Sequence, residues 1–271
     1  MTDGVSVGLI GAGAMGGALL RAWFACDAID AARSAVFDPA IRDDLAAAAQ
    51  ARGVAVNPAL EDVSVDIVFV AVKPQAADEA LPAYAALAEG GVVASAMAGV
   101  STAHLARLFP SASAIARMMP NLAAAVGASA SALFVPPDAT VETKSALIRL
   151  AEAVGEAVSV DSEEAIDWAT AIAGSGPAYF FLMVEALSEA GEALGLSEKD
   201  AARLARATAS GAGALLARDS RPAADLRKAV TSPGGTTEAA LKVLDGDAHE
   251  IRRIIERAAR AAAERARELT H

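Results

Sequence analysis

The chain has 271 residues, which is enough for one large domain or two ordinary ones with sizeable cores. Hydrophobic residues make up 54% of it and charged residues 21%, a composition that argues against disorder, while the abundance of alanine favours helix over strand. The net charge of −11 would repel phosphate backbones and anionic lipid surfaces, so we expect neither a nucleic-acid nor a membrane partner.

The first part of the chain alternates strand-like with helix-like segments. Strands are predicted at Val5–Ile10, Ala35–Asp38, Val65–Val72, Gly91–Met97, Ala114–Met118, Ala132–Val135 and Gly155–Val160. Helices are predicted at Met15–Cys26, Ile41–Arg52, Ser101–Leu108, with Ser101 as N-cap, and Val141–Ala153. This alternation is typical of a parallel, doubly wound sheet, which we assign to residues 1–161.

After residue 161 the strand patterns nearly vanish. Helices are predicted at Glu163–Ala173, Pro177–Leu194, Ser197–Ala217, Thr237–Leu244 and Ala248–Leu269, which indicates an all-helical domain over residues 162–271. The segment Pro177–Leu194 is apolar nearly all round, a pattern that is typical of a buried helix. It could be buried against a second subunit or at the centre of a single-chain helical domain, and the pattern alone leaves both open.

Cys26 is the only cysteine, and it falls within the first predicted helix, where a small buried hydrophobe is the expected role. A single cysteine permits no internal disulfide, which suits a reducing compartment. The N-terminus has no cationic region before its glycine-containing apolar stretch, so we expect a strand and a turn there instead of a signal peptide. No charge-free run is long enough to span a bilayer, and we expect a cytoplasmic protein.

A glycine turn connects the first strand to the first helix. The segment Gly11-Ala12-Gly13-Ala14-Met15-Gly16 fits the pattern G-x-G-x-x-G in the strand–turn–helix context that this pattern requires. Gly11 allows the tight turn, Gly13 lets the backbone approach a pyrophosphate, and Gly16 lets helix and strand pack closely. The N–H groups and partial positive charge of the helix start would bind the phosphates, so we predict a dinucleotide site here.

The second predicted strand ends at Asp38, where an acidic residue is expected to bind the adenosine ribose. Its carboxylate would accept hydrogen bonds from both ribose hydroxyls and repel a 2′-phosphate, which favours NADH. Arg33 and Arg42 are close in sequence and could instead favour NADPH, and Asp38 could also be a turn residue before Pro39. We therefore predict an NAD(P)H site with a preference for NADH.

Two further strands end in loops that point to the same site. Val72, Lys73 and Pro74 end one strand, and Asn121 follows another. Because strand carboxyl ends line the ligand crevice of an open parallel sheet, we place all four residues near the cofactor. Lys73 could instead be a surface lysine, and Asn121 could either bind on the nicotinamide side or cap a turn.

Two loops rich in glycine and hydroxyl groups interrupt the helical part. Residues 173–179 break one helix and start another at Pro177. The segment Thr231-Ser232-Pro233-Gly234-Gly235-Thr236-Thr237 precedes a further helix and offers hydroxyls and free N–H groups, a combination that suits carboxylate binding in an acidic protein. Either loop, taken alone, could also be an ordinary helix cap.

Together these motifs resemble those of pyrroline-5-carboxylate reductases over nearly the whole chain. The matching segments are the glycine turn, Val72-Lys73-Pro74, Ala98-Gly99-Val100, Met119-Pro120-Asn121, Gly174-Ser175-Gly176-Pro177-Ala178-Tyr179 and Ser232-Pro233-Gly234-Gly235-Thr236-Thr237. The resemblance implies a Rossmann domain, an all-helical dimerisation domain, a homodimer and often a larger assembly such as a decameric ring. It also implies NAD(P)H-dependent reduction of 1-pyrroline-5-carboxylate to L-proline, in a site between the Rossmann domain of one subunit and the helical domain of its partner.

The resemblance further implies which residues meet the substrate: Ser232, Gly234, Gly235, Thr236 and Thr237. The Thr237 hydroxyl would lie near the ring nitrogen. Because a protonated cyclic imine is already a strong electrophile, the protein needs orientation and a water-poor site more than a potent acid. The chain departs from the family after Asn121, where Leu122-Ala123 replaces the usual Thr-Pro, so loop contacts near the nicotinamide are expected to differ.

Three other classes of protein fit the sequence less well. A two-domain hydroxyacid dehydrogenase needs a basic residue early in its second domain, and no lysine or histidine occurs between Ser145 and Glu198. The three histidines show no ligand spacing, so we predict no metal site. A non-catalytic dinucleotide-binding protein would have no use for the loop at residues 232–237.

Overall fold

The computed structural model describes residues 4–269, which form two compact units. The first unit comprises the chain up to Ser175 and, in addition, the C-terminal segment from Ala262. The second unit is Gly176–Ala261.

Two segments beyond residue 161 belong to the first unit because they pack on it. Ile166 is buried in a small cluster with Met119. At the other end of the chain, Leu269 lies against Gly99, where a Cβ would be 2.6 Å from the Leu269 carbonyl oxygen. The domain boundary that we assigned after residue 161 remains a prediction.

The first unit is built on an eight-stranded sheet. Its strands are β1 Val7–Ile10, β2 Ala35–Phe37, β3 Ala55–Val56, β4 Ile67–Val70, β5 Val92–Ser95, β6 Ala114–Met119, β7 Ser129–Phe134 and β8 Gly155–Ser159. They lie in the order β3-β2-β1-β4-β5-β6-β7-β8, and β1 to β6 are parallel. This confirms the predicted α/β fold with a Rossmann-type doubly wound sheet.

The parallel arrangement stops at β6. β7 pairs antiparallel with β6, and β8 pairs parallel with β7. The connection from β6 to β7 contains only the 3₁₀ turn Leu122–Val126 and a few flanking residues, and a parallel crossover needs a dozen residues or more. The alternation of strands and helices could not reveal this reversal.

Helices cover both faces of the sheet. They are α1 Ala14–Ala25, α2 Asp43–Ala51, α3 Ala77–Ala80, α4 Thr102–Leu108, α5 Val141–Glu152 and α6 Glu164–Ala169, which continues into a π-helical turn at Thr170–Gly174. Successive strand residues alternate between the two apolar layers: Leu9 and Phe69 pack in one, Val68 and Val70 in the other. Burial on both faces explains why these strands are continuous apolar runs.

The start of α4 and the end of α1 can be compared with the predictions made for Ser101 and Cys26. The Ser101 hydroxyl accepts the N–H of His104 at 3.1 Å, which confirms Ser101 as the N-cap of α4. Cys26, by contrast, lies just after the end of α1 and is exposed, so the buried role expected for it is wrong. The helix ends one residue early because the chain turns at Asp27, which has a φ of +48°.

The second unit is all-helical, as predicted. Its helices are α7 Gly176–Ala193, α8 Glu198–Arg218, α9 Ala223–Ala229, α10 Thr236–Leu244 and α11 Glu250–Leu269, of which the last residues, from Ala262, belong to the first unit. α7 and α8 pack closely where a Cβ at Gly191 would lie 3.0 Å from the Ala201 Cβ. We did not predict α9, which is short and begins after Pro222 without a side-chain cap, whereas the equally short α4 begins at the capping residue Ser101.

α7 has a large apolar surface that the described residues of the chain do not cover. Phe180, Phe181 and Leu182 are 70%, 56% and 65% exposed. This apolar helix is therefore not the centre of a single-chain domain, and burial against a second subunit is the alternative that the structure favours.

By length and composition alone, the helical stretch Glu164–Ala193 is long and apolar enough to cross a bilayer.

Candidate cofactor and substrate sites

The glycine turn lies between β1 and α1, at the carboxyl edge of the sheet. Gly11 has a φ of +91°, and a Cβ there would lie 2.8 Å from the carbonyl carbon of Ala71 and 2.9 Å from Cγ1 of Val72. A Cβ at Gly16 would collide with the carbonyl oxygen of Gly11. Both positions need glycine so that β1, β4 and α1 can approach one another closely.

Gly13 has a different environment. Apart from its chain neighbours and its own helix, no atom of the described residues lies within 4 Å of the position that its Cβ would take, and the residue is exposed. It is the N-cap of α1, without a side-chain cap, and it lines a cleft of about 420 Å³ together with Ala14, Arg21, Arg42 and Ala125. Open backbone at a helix start fits a pyrophosphate, so the geometry suits the predicted dinucleotide site.

Asp38 lies beside this turn, at the end of β2. Its Oδ2 accepts the N–H of Ala12 at 2.6 Å, and its Oδ1 accepts the N–H of Ala40 at 2.8 Å. Asn57, with a φ of +48°, accepts the Asp38 N–H at 2.8 Å and donates to the Asp38 carbonyl oxygen at 3.0 Å. Asp38 therefore shapes the turn and joins it to β2; its contact with a ribose remains a prediction. The sequence carried no signal for Asn57.

Of the two arginines that could favour NADPH, only Arg42 lines the cleft. Arg33 instead lies 2.8 Å from Asp30 and 3.4 Å from Asp66. Arg42 lies 2.7 Å from Asp44, and this hydrogen-bonded partner lowers the pKa of Asp44 to about 2. Asp44 is therefore ionised at neutral pH and holds the Arg42 guanidinium beside the cleft.

The loop after β4 packs against the glycine turn through two residues, Ala71 and Val72. The side chain of Val72 packs beside Gly11, where a Cβ would lie 2.9 Å from Val72 Cγ1. Lys73 is exposed and precedes the 3₁₀ turn Pro74–Ala76, and within residues 4–269 its ammonium group has no hydrogen bond or ion pair. The cofactor roles of Lys73 and Pro74 remain predictions.

Asn121 is buried at the end of β6, and its side chain is used within the chain. Its Oδ1 accepts the N–H of Ala123 at 3.0 Å, which caps the 3₁₀ turn after β6. Its Nδ2 donates to the carbonyl oxygen of Ala173, in the π-helical turn, also at 3.0 Å. Asn121 thus ties two loops together, and a contact with the nicotinamide, which remains a prediction, would have to share one of these groups.

The candidate substrate loop, residues 232–237, lies in the second unit at the start of α10. Gly235 is the N-cap, and its N–H donates to the Ser232 carbonyl oxygen at 3.0 Å, while Gly234 has a φ of +71°. In the described part of the chain, the N–H groups of Thr236 and Thr237 have no acceptor. Free donors at the positive end of a nine-residue helix suit a carboxylate.

The fold and the nucleotide cleft place the chain among NAD(P)-dependent oxidoreductases with an all-helical second domain. Among residues 4–269 there is no group of three or more histidine, cysteine, aspartate or glutamate side chains that could hold a metal ion. Comparison with known proteins agrees with this class. Residues 163–269 match the family model described as pyrroline-5-carboxylate reductase dimerisation, and residues 6–99 match that described as NADP oxidoreductase, coenzyme F420-dependent.

Two relatives and one solved structure identify the family. The pyrroline-5-carboxylate reductase of Synechocystis sp. is 37% identical over 271 residues and 98% of each chain. That of Pseudomonas aeruginosa is 40% identical over 75% of this chain and 74% of its own. The structure of a pyrroline-5-carboxylate reductase from Coxiella burnetii superposes with a TM-score of 0.90 at 32% identity, covering 99% of this chain and 100% of that one. The chain belongs to the pyrroline-5-carboxylate reductase family and carries its dimerisation domain.

Proposed function

We propose that the protein reduces 1-pyrroline-5-carboxylate to L-proline with NAD(P)H. The observation that carries the proposal is the loop at residues 232–237, where backbone N–H groups at the start of α10 have no acceptor within the described residues. The substrate is a small ring that bears one carboxylate, so a compact site of neutral donors can bind it without a lysine or arginine. Family membership over the whole chain supports the same activity.

In the proposed site the chain mainly orients the substrate. The N–H groups of Thr236 and Thr237 bind the carboxylate. The turn formed by Ser232, Gly234 and Gly235 gives this carboxylate site its shape. The Thr237 hydroxyl oxygen accepts the N–H of the protonated ring and so directs the imine carbon. Bound NAD(P)H supplies the hydride that forms the new C–H bond, and the electron pair of the C=N bond moves to the nitrogen, which becomes the proline amine.

The cofactor would be held by backbone more than by side chains. We propose that residues 11–16 bind the pyrophosphate, with Gly13 at the point of closest approach, and that Asp38 lies at the adenosine ribose. Val72, Lys73, Pro74 and Asn121 would line the nicotinamide side. The open space at Gly13 is the observation that fits a bound dinucleotide.

Replacing Thr237 with alanine is expected to lower kcat by about 10- to 100-fold, because a hydrogen bond to a charged group contributes about 1.5–3 kcal/mol. The Kd for coenzyme should stay within about twofold of the unmodified value, since the hydroxyl is assigned to the substrate. Steady-state kinetics and a coenzyme titration provide the two measurements. Thr208→Ala, on α8 of the same unit, is the matched control. Equal kcat in the Thr237 and Thr208 variants would contradict the assigned role.

The preference for NADH predicted from Asp38 has its own test. We expect kcat/KM for NADH to exceed that for NADPH, because Asp38 repels a 2′-phosphate. Arg42, which lines the cleft, should supply most of the remaining affinity for that phosphate, so Arg42→Ala should lower kcat/KM for NADPH alone by about tenfold. Arg33→Ala is the control, since Arg33 pairs with Asp30 and Asp66. A kcat/KM higher with NADPH than with NADH would show that the interpretation of Asp38 is wrong.

We further propose that the protein works in the cytoplasm as a homodimer that assembles into a larger ring such as a decamer. The exposed apolar residues of α7 support the dimer, because such a surface needs a partner in water. The single, exposed cysteine suits a reducing compartment.

A further inference from the structure

Glu238 places a carboxylate of the protein itself at the candidate substrate loop. It is the third residue of α10, and its Oε2 accepts the N–H of Gly234 at 2.8 Å. The side chain is 37% exposed and faces the positive end of its own helix, where an acidic group is stabilised. An anion is therefore already bound at one of the backbone donors of this loop.

The donor that Glu238 occupies, the Gly234 N–H, lies on the same loop as the donors that the proposed function gives to the substrate. Gly234 is part of the turn that shapes the carboxylate site, and its N–H is occupied by Glu238. The N–H groups of Thr236 and Thr237, on the same turn, have no acceptor in the described chain. Two carboxylates on one short turn repel each other, and this repulsion is stronger near a protein surface than in bulk water. A substrate carboxylate must therefore compete with Glu238.

Glu238 has a second partner to which it can turn. The ammonium group of Lys242, one helical turn along α10, lies 3.7 Å from Glu238 Oε2. A pair of this spacing is favourable on a helix surface, so Lys242 can hold the carboxylate once it has left Gly234. Lys242 is 72% exposed, which leaves it free to follow the glutamate.

We propose that Glu238 is a specificity-determining residue that occupies the Gly234 N–H in the empty site and is displaced toward Lys242 by the substrate carboxylate. This inference rests on the proposed function. Glu238 keeps the glycine turn in its binding shape between turnovers, and its charge raises the KM for an anionic substrate. Glu238 also favours release of the product, because its carboxylate returns to the loop as the carboxylate of proline leaves.

The test is Glu238→Gln, which keeps an oxygen that can accept from Gly234 but removes the charge. We expect the KM for 1-pyrroline-5-carboxylate and the Ki for L-proline both to fall by about tenfold, with the KM for NADH unchanged. Lys242→Met removes the second partner and should raise the KM for the imine. Glu198→Gln, in the first turn of α8, makes the same change of charge elsewhere in the unit and should alter none of these constants.

An unchanged or raised KM for the imine in the folded Glu238→Gln protein would overturn the inference and leave Glu238 as an ordinary helix cap. The Lys242→Met measurement is independent of that variant: an unchanged KM for the imine there would also count against displacement. Failure of the proposed function is a separate result, since the unmodified protein would then not reduce 1-pyrroline-5-carboxylate at all.

Discussion

Gly13→Ala is expected to lower the affinity for coenzyme at least about 100-fold while leaving the fold intact. Apart from its chain neighbours and its own helix, the new Cβ would meet no atom of the described residues within 4 Å, so it would fill the space that we assign to the pyrophosphate. The φ of Gly13 is −66°, so no left-handed backbone conformation requires glycine at this position. Titration with NADH and with NADPH measures the loss of binding, and thermal unfolding should show a Tm within a few degrees of the unmodified value.

Gly16→Ala is the contrasting variant in the same turn. Its Cβ would collide with the carbonyl oxygen of Gly11, so we expect a marked fall in Tm as well as a loss of binding. The pair separates a glycine that a ligand requires from a glycine that packing requires. Unchanged coenzyme affinity in folded Gly13→Ala would show that the pyrophosphate does not approach this turn.

Glu163→Ala is expected to destabilise the first unit by about 3 kcal/mol. The Glu163 carboxylate accepts from the N–H of Thr102 at 2.7 Å, from its hydroxyl at 2.6 Å and from Nη1 of Arg117 at 3.1 Å. Arg117 is only 1% exposed, and its Nε and Nη2 have no hydrogen-bond partner among the described residues. Removing Glu163 would leave a buried charge without its counter-ion, which is among the most costly single changes.

The neighbouring residue provides the control for this prediction. Glu164 is 59% exposed and lies 3.9 Å from an equally exposed Arg267, so Glu164→Ala should change stability by less than about 1 kcal/mol. Urea unfolding followed by tryptophan fluorescence reports on this unit, because both tryptophans, Trp23 and Trp168, belong to it. Equal midpoints for the two variants would mean that the Arg117 ion pair contributes no net stability.

Periodic and local signals made much of the fold predictable. Strands buried on both faces are continuous apolar runs, and the helix caps and glycine turns are short motifs that depend on adjacent residues. The reversal at β7 had no such signal, because the direction of a strand depends on the length of a connection and not on the composition of the strand. α9 was not predicted because it is short and has no capping side chain, whereas the equally short α4 has Ser101.

The candidate sites were predictable to the extent that backbone forms them. Glycines and helix starts are visible in the sequence, so the glycine turn at residues 11–16 and the loop at residues 232–237 could be located. The side-chain pairs could not, because they join distant positions: Asn57 brackets Asp38, and Asn121 binds Ala173. Glu238 is close in sequence to its partner, yet acidic residues are common in the first turn of a helix, so its hydrogen bond to Gly234 became apparent only in the structure.

The most direct test of the account follows the hydride itself. Purified protein is incubated with 1-pyrroline-5-carboxylate and with NADH or NADPH that carries deuterium at both C4 positions of the nicotinamide, and the proline formed is analysed by mass spectrometry and NMR. We predict one deuterium per molecule of L-proline, on the ring carbon that was the imine carbon. Oxidation of coenzyme without labelled proline, or no proline from either coenzyme, would contradict it.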